Sequence, residues 1–213
     1  SNRPDKVEDI LMGNNRSQNI QSEIEILKSR PLMARVVSKL NLQFGYTAKG
    51  RIKDQNVYKQ APFTIQALTI RDSARAFSMK IKFDNGKQFR INNETVKFEF
   101  DQVFENKNGV FRLTRNGILP SGGMEYNVTW HPLESLAGRL ARTVKVQPKA
   151  GGTGILIIDL EAANPQMAAD IVNSLMIQYD SLTVEQNNFS TDQIIGFIDG
   201  RLDSLKRELD SIK

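Results

Sequence analysis

Residues 77–91 read FSMKIKFDNGKQFRI. Phe77, Met79, Ile81 and Phe83 alternate with polar residues, and Phe89 and Ile91 resume the alternation beyond Asp84-Asn85-Gly86-Lys87. Successive side chains of a strand point to opposite faces, so this period of two predicts strands with one buried side. Asn-Gly readily supplies the positive φ angles of a tight hairpin turn. The same grammar continues outward. Val96, Phe98 and Phe100 alternate, Asn106-Lys107-Asn108-Gly109 turns the chain into Phe111 and Leu113, and Tyr126, Val128 and Trp130 alternate after the turn signals Asn116-Gly117 and Ser121-Gly122-Gly123. Residues 63–130 are therefore predicted to form an antiparallel meander with one face buried. Its aromatics fall mostly on that face, so they read as core before they read as a surface for sugar rings.

The flanks have a different period. Ile20, Ile24 and Leu27 lie three and four apart, as do residues among Leu32, Val36, Val37 and Leu40, which predicts two helices in tandem. Pro31 falls in the first turn of the second, where its missing amide hydrogen is harmless. Residues 46–61 show no period and read as a connector. After His131-Pro132 a short helix carries Leu133, Leu136, Ala137 and Leu140; Val144 and Val146 open a strand, and Gly151-Gly152-Thr153-Gly154 turns it back into Ile155–Leu160. That last run is nearly all aliphatic, so it is expected at the centre of its sheet. Asn164-Pro165 supplies a cap and a first-turn proline for a helix through Ala168, Ile171, Val172, Leu175 and Tyr179. Ile195, Ile198, Leu202, Leu205, Leu209 and Ile212 follow at heptad spacing, the seam of a coiled coil. The predicted class is α+β: an antiparallel or mixed sheet packed by terminal helices, with a coiled-coil helix at the C-terminal end. One shared core is expected for the meander, the N-terminal helices and the helix at 164–183.

Composition narrows the chemistry. Of 213 residues, 39% are hydrophobic and 25% charged, the mix of a globular protein. The net charge of +5 is modest and scattered, so nucleic acid is not indicated. With no cysteine and the single histidine His131, thiolate sites, disulfides and multi-histidine metal sites are excluded. No run approaches the roughly 20 apolar residues of a membrane span. Ser1-Asn2, without initiator methionine or leader, reads as the remnant of tag cleavage, so targeting segments are expected outside this stretch. The seam still runs at Lys213, so the natural helix is expected to be longer.

Each candidate site has an ordinary reading beside it. His131 with Glu134 has the elements of an acid/base pair, but no third group orients it and a cap or surface residue is the plainer reading. Asp159 and Glu161 close a strand and read as solvated or capping carboxylates before cation ligands. The glycines at 151–154 lie between strands and lack the lysine of a phosphate loop, so they read as a hairpin turn. Arg139, Arg142, Lys145 and Lys149 form the most cationic stretch. A solvated face is the plain reading; the functional one is a contact with anionic lipid or a glycan-linked pyrophosphate. The seam packs either on the domain's own helices or in a hairpin or intersubunit coiled coil. No catalytic group, cofactor or metal emerges, and the chain is expected not to be an enzyme.

Two stretches carry a family resemblance: IQSEIEILKSRPLMARVVSKLNL, residues 20–42, and LAGRLARTVKVQPKAGGTGILIIDLEAANPQMAADIVNSLMIQYDSLTVEQ, residues 136–186. They resemble the Wzz family of polysaccharide co-polymerases, or chain-length determinants, and most of all the branch joined to a cytoplasmic tyrosine kinase in Bacteroidetes capsule or exopolysaccharide systems. The family's strand, proline-opened helix and asparagine-containing helix correspond to Ile155–Leu160, Pro165 and Asn173. The resemblance implies a periplasmic domain of an inner-membrane protein, with a transmembrane helix on either side and a projecting helical hairpin. It implies ring-like homo-oligomers that control the chain length and export of capsular polysaccharide, exopolysaccharide or O-antigen. A polysaccharide polymerase or outer-membrane export protein, and the growing glycan, are the implied partners. On this reading 17–56 holds the N-terminal helices, 57–135 a β-rich middle module, 136–190 the strand-helix part and 191–213 the start of the coiled coil. The alternatives are a periplasmic adaptor of an efflux or secretion system and a carbohydrate-binding β-module or hydrolase. The lipoyl-like half-motifs of an adaptor and the close carboxylate pair of a hydrolase are both missing.

Overall fold

The structure, a computed structural model, describes residues 19–50, 52–84, 87–92, 95–118, 124–150 and 154–211, with side chains as far as 199 and at 201. Its class is α+β, with antiparallel sheets and a long C-terminal helix.

Two helices open the described chain: α1 (19–27) and α2 (Arg30–Lys39). Ser29 separates them, its Oγ accepting the Leu32 amide at 3.4 Å, and Pro31 sits in the first turn of α2 as predicted. Asn41 ends α2 at φ 52°, with the Asn41 and Leu42 amides donating to the Ser38 and Val37 carbonyls. This pair of bonds satisfies carbonyls that the last turn leaves open.

Among the described residues eleven strands follow or intervene: β1 (Phe44–Ala48), β2 (Gln55–Asn56), β3 (Phe63–Ile70), β4 (Phe77–Phe83), β5 (Gln88–Ile91), β6 (Lys97–Glu99), β7 (Val103–Asn106), β8 (Gly109–Arg115), β9 (Glu125–Trp130), β10 (Lys145–Pro148) and β11 (Leu156–Asp159). The period-two stretch is antiparallel throughout, yet it is not a simple meander. Its strands divide into a six-stranded sheet, ordered β2-β1-β9-β4-β5-β6, and a three-stranded sheet, β3-β8-β7. β9 returns to the middle of the larger sheet, setting Trp130 opposite Phe44 on one side and Phe77 on the other. The presumed connector supplies β1 and β2. Phe44, Tyr46 and Ala48 do alternate, but five residues around Gly45 are too short a run to carry the period.

The inner faces of the two sheets share one core. Phe63, Phe111 and Leu113 of the smaller sheet meet Met79, Ile81, Phe83 and Phe89 of the larger. Phe63 packs edge-on against Phe83 at 5.3 Å and Tyr126 at 5.2 Å, the geometry that ring quadrupoles favour.

The helices have a core of their own, contrary to the expectation of a shared one. Leu32, Met33, Val36 and Val37 of α2 pack with Leu136, Ala137 and Leu140 of α3 (Leu133–Thr143), with Val144 and Val146, and with Ile171 and Leu175 of α4 (Pro165–Ser211). The sheet that these helices cover is the β10–β11 ribbon. β11 is therefore not central in a larger sheet: it pairs with β10 alone among the described residues. Leu156 and Ile158 rest on the helical core, whereas Ile155 stays 52% exposed.

One turn shows how tightly the smaller sheet is specified. Asn106 Oδ1 accepts the Asn108 amide at 2.8 Å, and Gly109 then enters β8 at φ 154°. A Cβ on Gly109 would lie 2.1 Å from the Thr69 carbonyl oxygen, beside the irregular register between Ala67 and Thr69. Gly109→Ala is expected to cost about 2 kcal/mol or more in urea unfolding. Gly196→Ala, on a helix face where a Cβ meets nothing within 4 Å, is expected to be neutral or slightly stabilising.

Candidate functional site

Asn164 caps α4 by accepting the Met167 amide at 3.1 Å, and Pro165 opens the helix as predicted. α4 then runs 47 residues without a break, about 70 Å at 1.5 Å per residue. Among its described side chains the embedded ones lie early: Ile171 and Leu175 are fully buried, and Tyr179 and Leu182 partly so. Arg35 of α2 donates to both carboxylate oxygens of Glu185, at 2.8 and 2.7 Å, tying α4 to the helical base. Each partner favours the charged form of the other, holding Glu185 below and Arg35 above their usual ranges. From Val184 to Asp199 every residue is exposed.

That exposed length is not polar. Phe189, Ile194, Ile195, Phe197 and Ile198 are 49–73% exposed. Ile195 and Ile198, the first two positions of the predicted seam, are thus uncovered among the described residues. The side chains of Leu202, Leu205, Leu209 and Ile212 lie outside those described.

The predicted basic stretch spans α3 and β10. Burial of Leu136, Ala137 and Leu140 turns Arg139 and Arg142 outward on α3. Lys145 pairs loosely with Glu161 at 3.8 Å, both side chains being largely solvated, and Lys149 is exposed. A fifth cation, which no local pattern could reveal, joins them from α2. A Cβ on Gly138 would sit 3.5 Å from Arg30 Nε and 3.7 Å from Arg142 Nη1. The two guanidinium groups lie over α3 in van der Waals range of position 138, and neither pairs with a carboxylate among the described residues.

The other candidates separate. His131 is half-buried beside Gly45, and burial first, then the Arg139 charge, lowers its pKa. Glu134 makes no bond to it, so the structure does not assemble the acid/base pair. Asp159 and Glu161 are exposed, and no group of three metal-binding side chains occurs among the described residues. Gly154, at φ 68°, lies between β10 and β11; residues 151–153, the rest of the predicted hairpin turn, lie outside the described ones. No helix among the described residues is long and apolar enough to cross a membrane.

Sequence reasoning missed the junction between the two cores. Asp170 of α4 accepts from Lys59 Nζ at 2.6 Å, Gln166 Nε2 at 2.8 Å and the Tyr58 hydroxyl at 3.1 Å. These donors, Lys59 foremost, hold its carboxyl below the usual range. Asn164 Nδ2 adds a bond to the Asn56 carbonyl at 3.3 Å. The start of α4 is thereby tied to the segment between β2 and β3, more than 100 residues earlier, a pairing with no local signature.

No family model matches the chain. Curated relatives do match. The chain is 23% identical over 220 residues to "Tyrosine-protein kinase ptk" of Acinetobacter johnsonii, covering 91% of the chain and 30% of that protein. It is 20% identical to "Putative tyrosine-protein kinase in cps region" of Klebsiella pneumoniae, covering 89% of the chain and 28% of the relative. It is also 20% identical to "Putative tyrosine-protein kinase EpsB" of Ralstonia solanacearum, covering 89% and 29%. The chain thus spans less than a third of the length of these relatives. Their names support the kinase-bearing, capsule and exopolysaccharide side of the resemblance. They also overturn the expectation that the chain is not an enzyme, since every one of these relatives is named a tyrosine-protein kinase. That expectation rested on motifs missing from 213 residues, whereas the relatives are some three times longer.

His131 gives a pH test. Because its folded pKa lies below the unfolded 6.5, the unfolded state takes up the proton first and stability falls as pH drops below about 6.5. The melting temperature of His131→Gln is expected to fall less than that of the unchanged chain between pH 7 and pH 5. Parallel curves would mean that His131 is solvated.

Proposed function

We propose that this chain is the extracytoplasmic assembly domain of a membrane-anchored tyrosine-protein kinase that serves capsule or exopolysaccharide synthesis and export. The observation that carries this reading is the match of about nine-tenths of the chain to less than a third of relatives named as kinases, one of them in a cps region. In this reading the sandwich and the helical base form one platform, and α4 is the arm through which copies of the protein meet. Assembly of identical subunits around the glycan machinery then sets chain length.

Two features support the assignment of roles. The exposed aliphatic and aromatic residues of α4 are costly to leave in water, since burying one such side chain is worth roughly 1.5–3 kcal/mol. Membrane anchoring would raise the effective concentration of the arms and let modest contacts suffice. The basic face of Arg30, Arg139, Arg142, Lys145 and Lys149 is the surface proposed to meet anionic headgroups or a glycan-linked pyrophosphate.

The test uses the full-length protein carrying both Ile195→Asp and Ile198→Asp. Its mass in detergent is expected to fall, and the producing strain to make glycan of disordered length. An unchanged oligomer with an unchanged glycan profile and unchanged tyrosine phosphorylation would remove the arm from the mechanism.

A further inference from the structure

At the mouth of the sandwich, β1 of the larger sheet and β3 of the smaller one part and leave a cleft of about 810 Å3. That lies within the range of roughly 300–1,000 Å3 typical of small-molecule sites. A quarter of the chain is charged, yet none of the fifteen residues lining this cleft is. Amides and hydroxyls are set into a lining whose larger share is apolar, including three aromatic rings.

The rings come pre-ordered. Phe44 lies 4.9 Å from Trp130, and Trp130 stacks on Phe77 at 6.2 Å with 16° between planes. Trp130 is buried, while Phe44 and Tyr46 keep ring surface open to the cleft. Tyr46 accepts the Ile65 amide at 3.1 Å through its hydroxyl oxygen, and its O–H remains to donate. Burial raises the Tyr46 pKa, so that proton stays in place at physiological pH. Around the rings, the side chains of Gln43, Gln66 and Thr114 make no hydrogen bond among the described residues.

We propose that this cleft binds an uncharged run of a polysaccharide, its sugar faces on Phe44 and Tyr46 and its hydroxyls on Gln43, Gln66 and Thr114. A neutral sugar has apolar C–H faces and a rim of hydroxyls that both donate and accept, and this lining offers ring surface with amides that do the same. A phosphate or carboxylate finds no cation here. A lipid chain would leave the amides without partners. A peptide strand adding to the edge of β3 needs amides of that edge, and Tyr46 already holds the one at Ile65. The inference rests on the polysaccharide role proposed above and gives it a binding site on the β-rich module.

The experiment titrates the 213-residue chain with cellohexaose and maltohexaose as neutral probes. A hyaluronan hexasaccharide serves as the anionic probe and the peptide Ac-TVTVTV-NH2 as a strand probe, all followed by amide chemical shifts. At least one neutral hexasaccharide is expected to move the amides of Gln43, Gln66 and Thr114. The double variant Gln43→Ala with Gln66→Ala is expected to bind it at least tenfold more weakly with an unchanged melting temperature. Thr114→Val provides an independent variant should the double one unfold. The proposal is overturned if neither neutral sugar shifts these amides, if the variants bind as tightly as the parent, or if only the anionic sugar or the peptide occupies the cleft. Deleting the gene and assaying glycan separates the two claims. Loss of glycan without cleft binding sinks the site alone, and normal glycan sinks the role.

Discussion

The burial of Ile171 and Leu175 in the helical core beside α2 is the contact on which the rest of the arrangement depends. These two side chains, 2% and 0% exposed, seat the first turns of a 47-residue helix whose residues from Val184 to Asp199 are all exposed. Removing one of them to alanine leaves a cavity whose cost is typically 2–5 kcal/mol. The polar ties act on the same few turns. Asp170, next to Ile171, gathers Lys59, Gln166 and Tyr58, and Arg35 grips Glu185 farther along. Apolar burial fixes depth and these bonds fix azimuth, so the direction in which α4 leaves the base follows from its first twenty residues.

Two cores, rather than one, explain why the chain combines such different textures. The sandwich is stabilised by aromatic rings in edge-on contact across two sheets, and the helical base by aliphatic side chains from segments far apart in sequence. The join is polar: a tyrosine, a lysine and two asparagines rather than a continuous apolar layer. The extended arm belongs to one body and the neutral cleft to the other, so either surface can vary without unfolding its neighbour.

Much of this was legible in the sequence, and what was not has physical causes. Alternation in 77–91 located β4 and β5, and Asn164-Pro165 located the start of α4, because local periods and caps act over a few residues. Pairing between distant strands leaves no such trace. Nothing near Trp130 says that β9 lies between β1 and β4, and the aliphatic run before Asp159 resembles a central strand although it belongs to a two-stranded ribbon. The cationic stretch from Arg139 to Lys149 was visible as composition, but Arg30 joins it only through the approach of α2 to Gly138. Polar residues of the cleft looked like ordinary strand and loop positions until the two sheets set them around one opening. The kinase names belong to longer relatives and came from comparison with them, in line with the kinase-bearing branch that residues 20–42 and 136–186 resemble.

The central claim is that the exposed arm of α4 meets another copy of the protein. Because the chain has no cysteine, a single Ile198→Cys substitution introduces the one thiol of this segment. Mild oxidation of membranes containing the full-length protein, with any thiols elsewhere in it replaced beforehand, then reports contact between arms directly. A covalent dimer is expected that disappears on reduction and is not formed by Lys82→Cys, at an exposed position of β4. Monomer alone at position 198, under conditions that oxidise a control thiol fully, would contradict it.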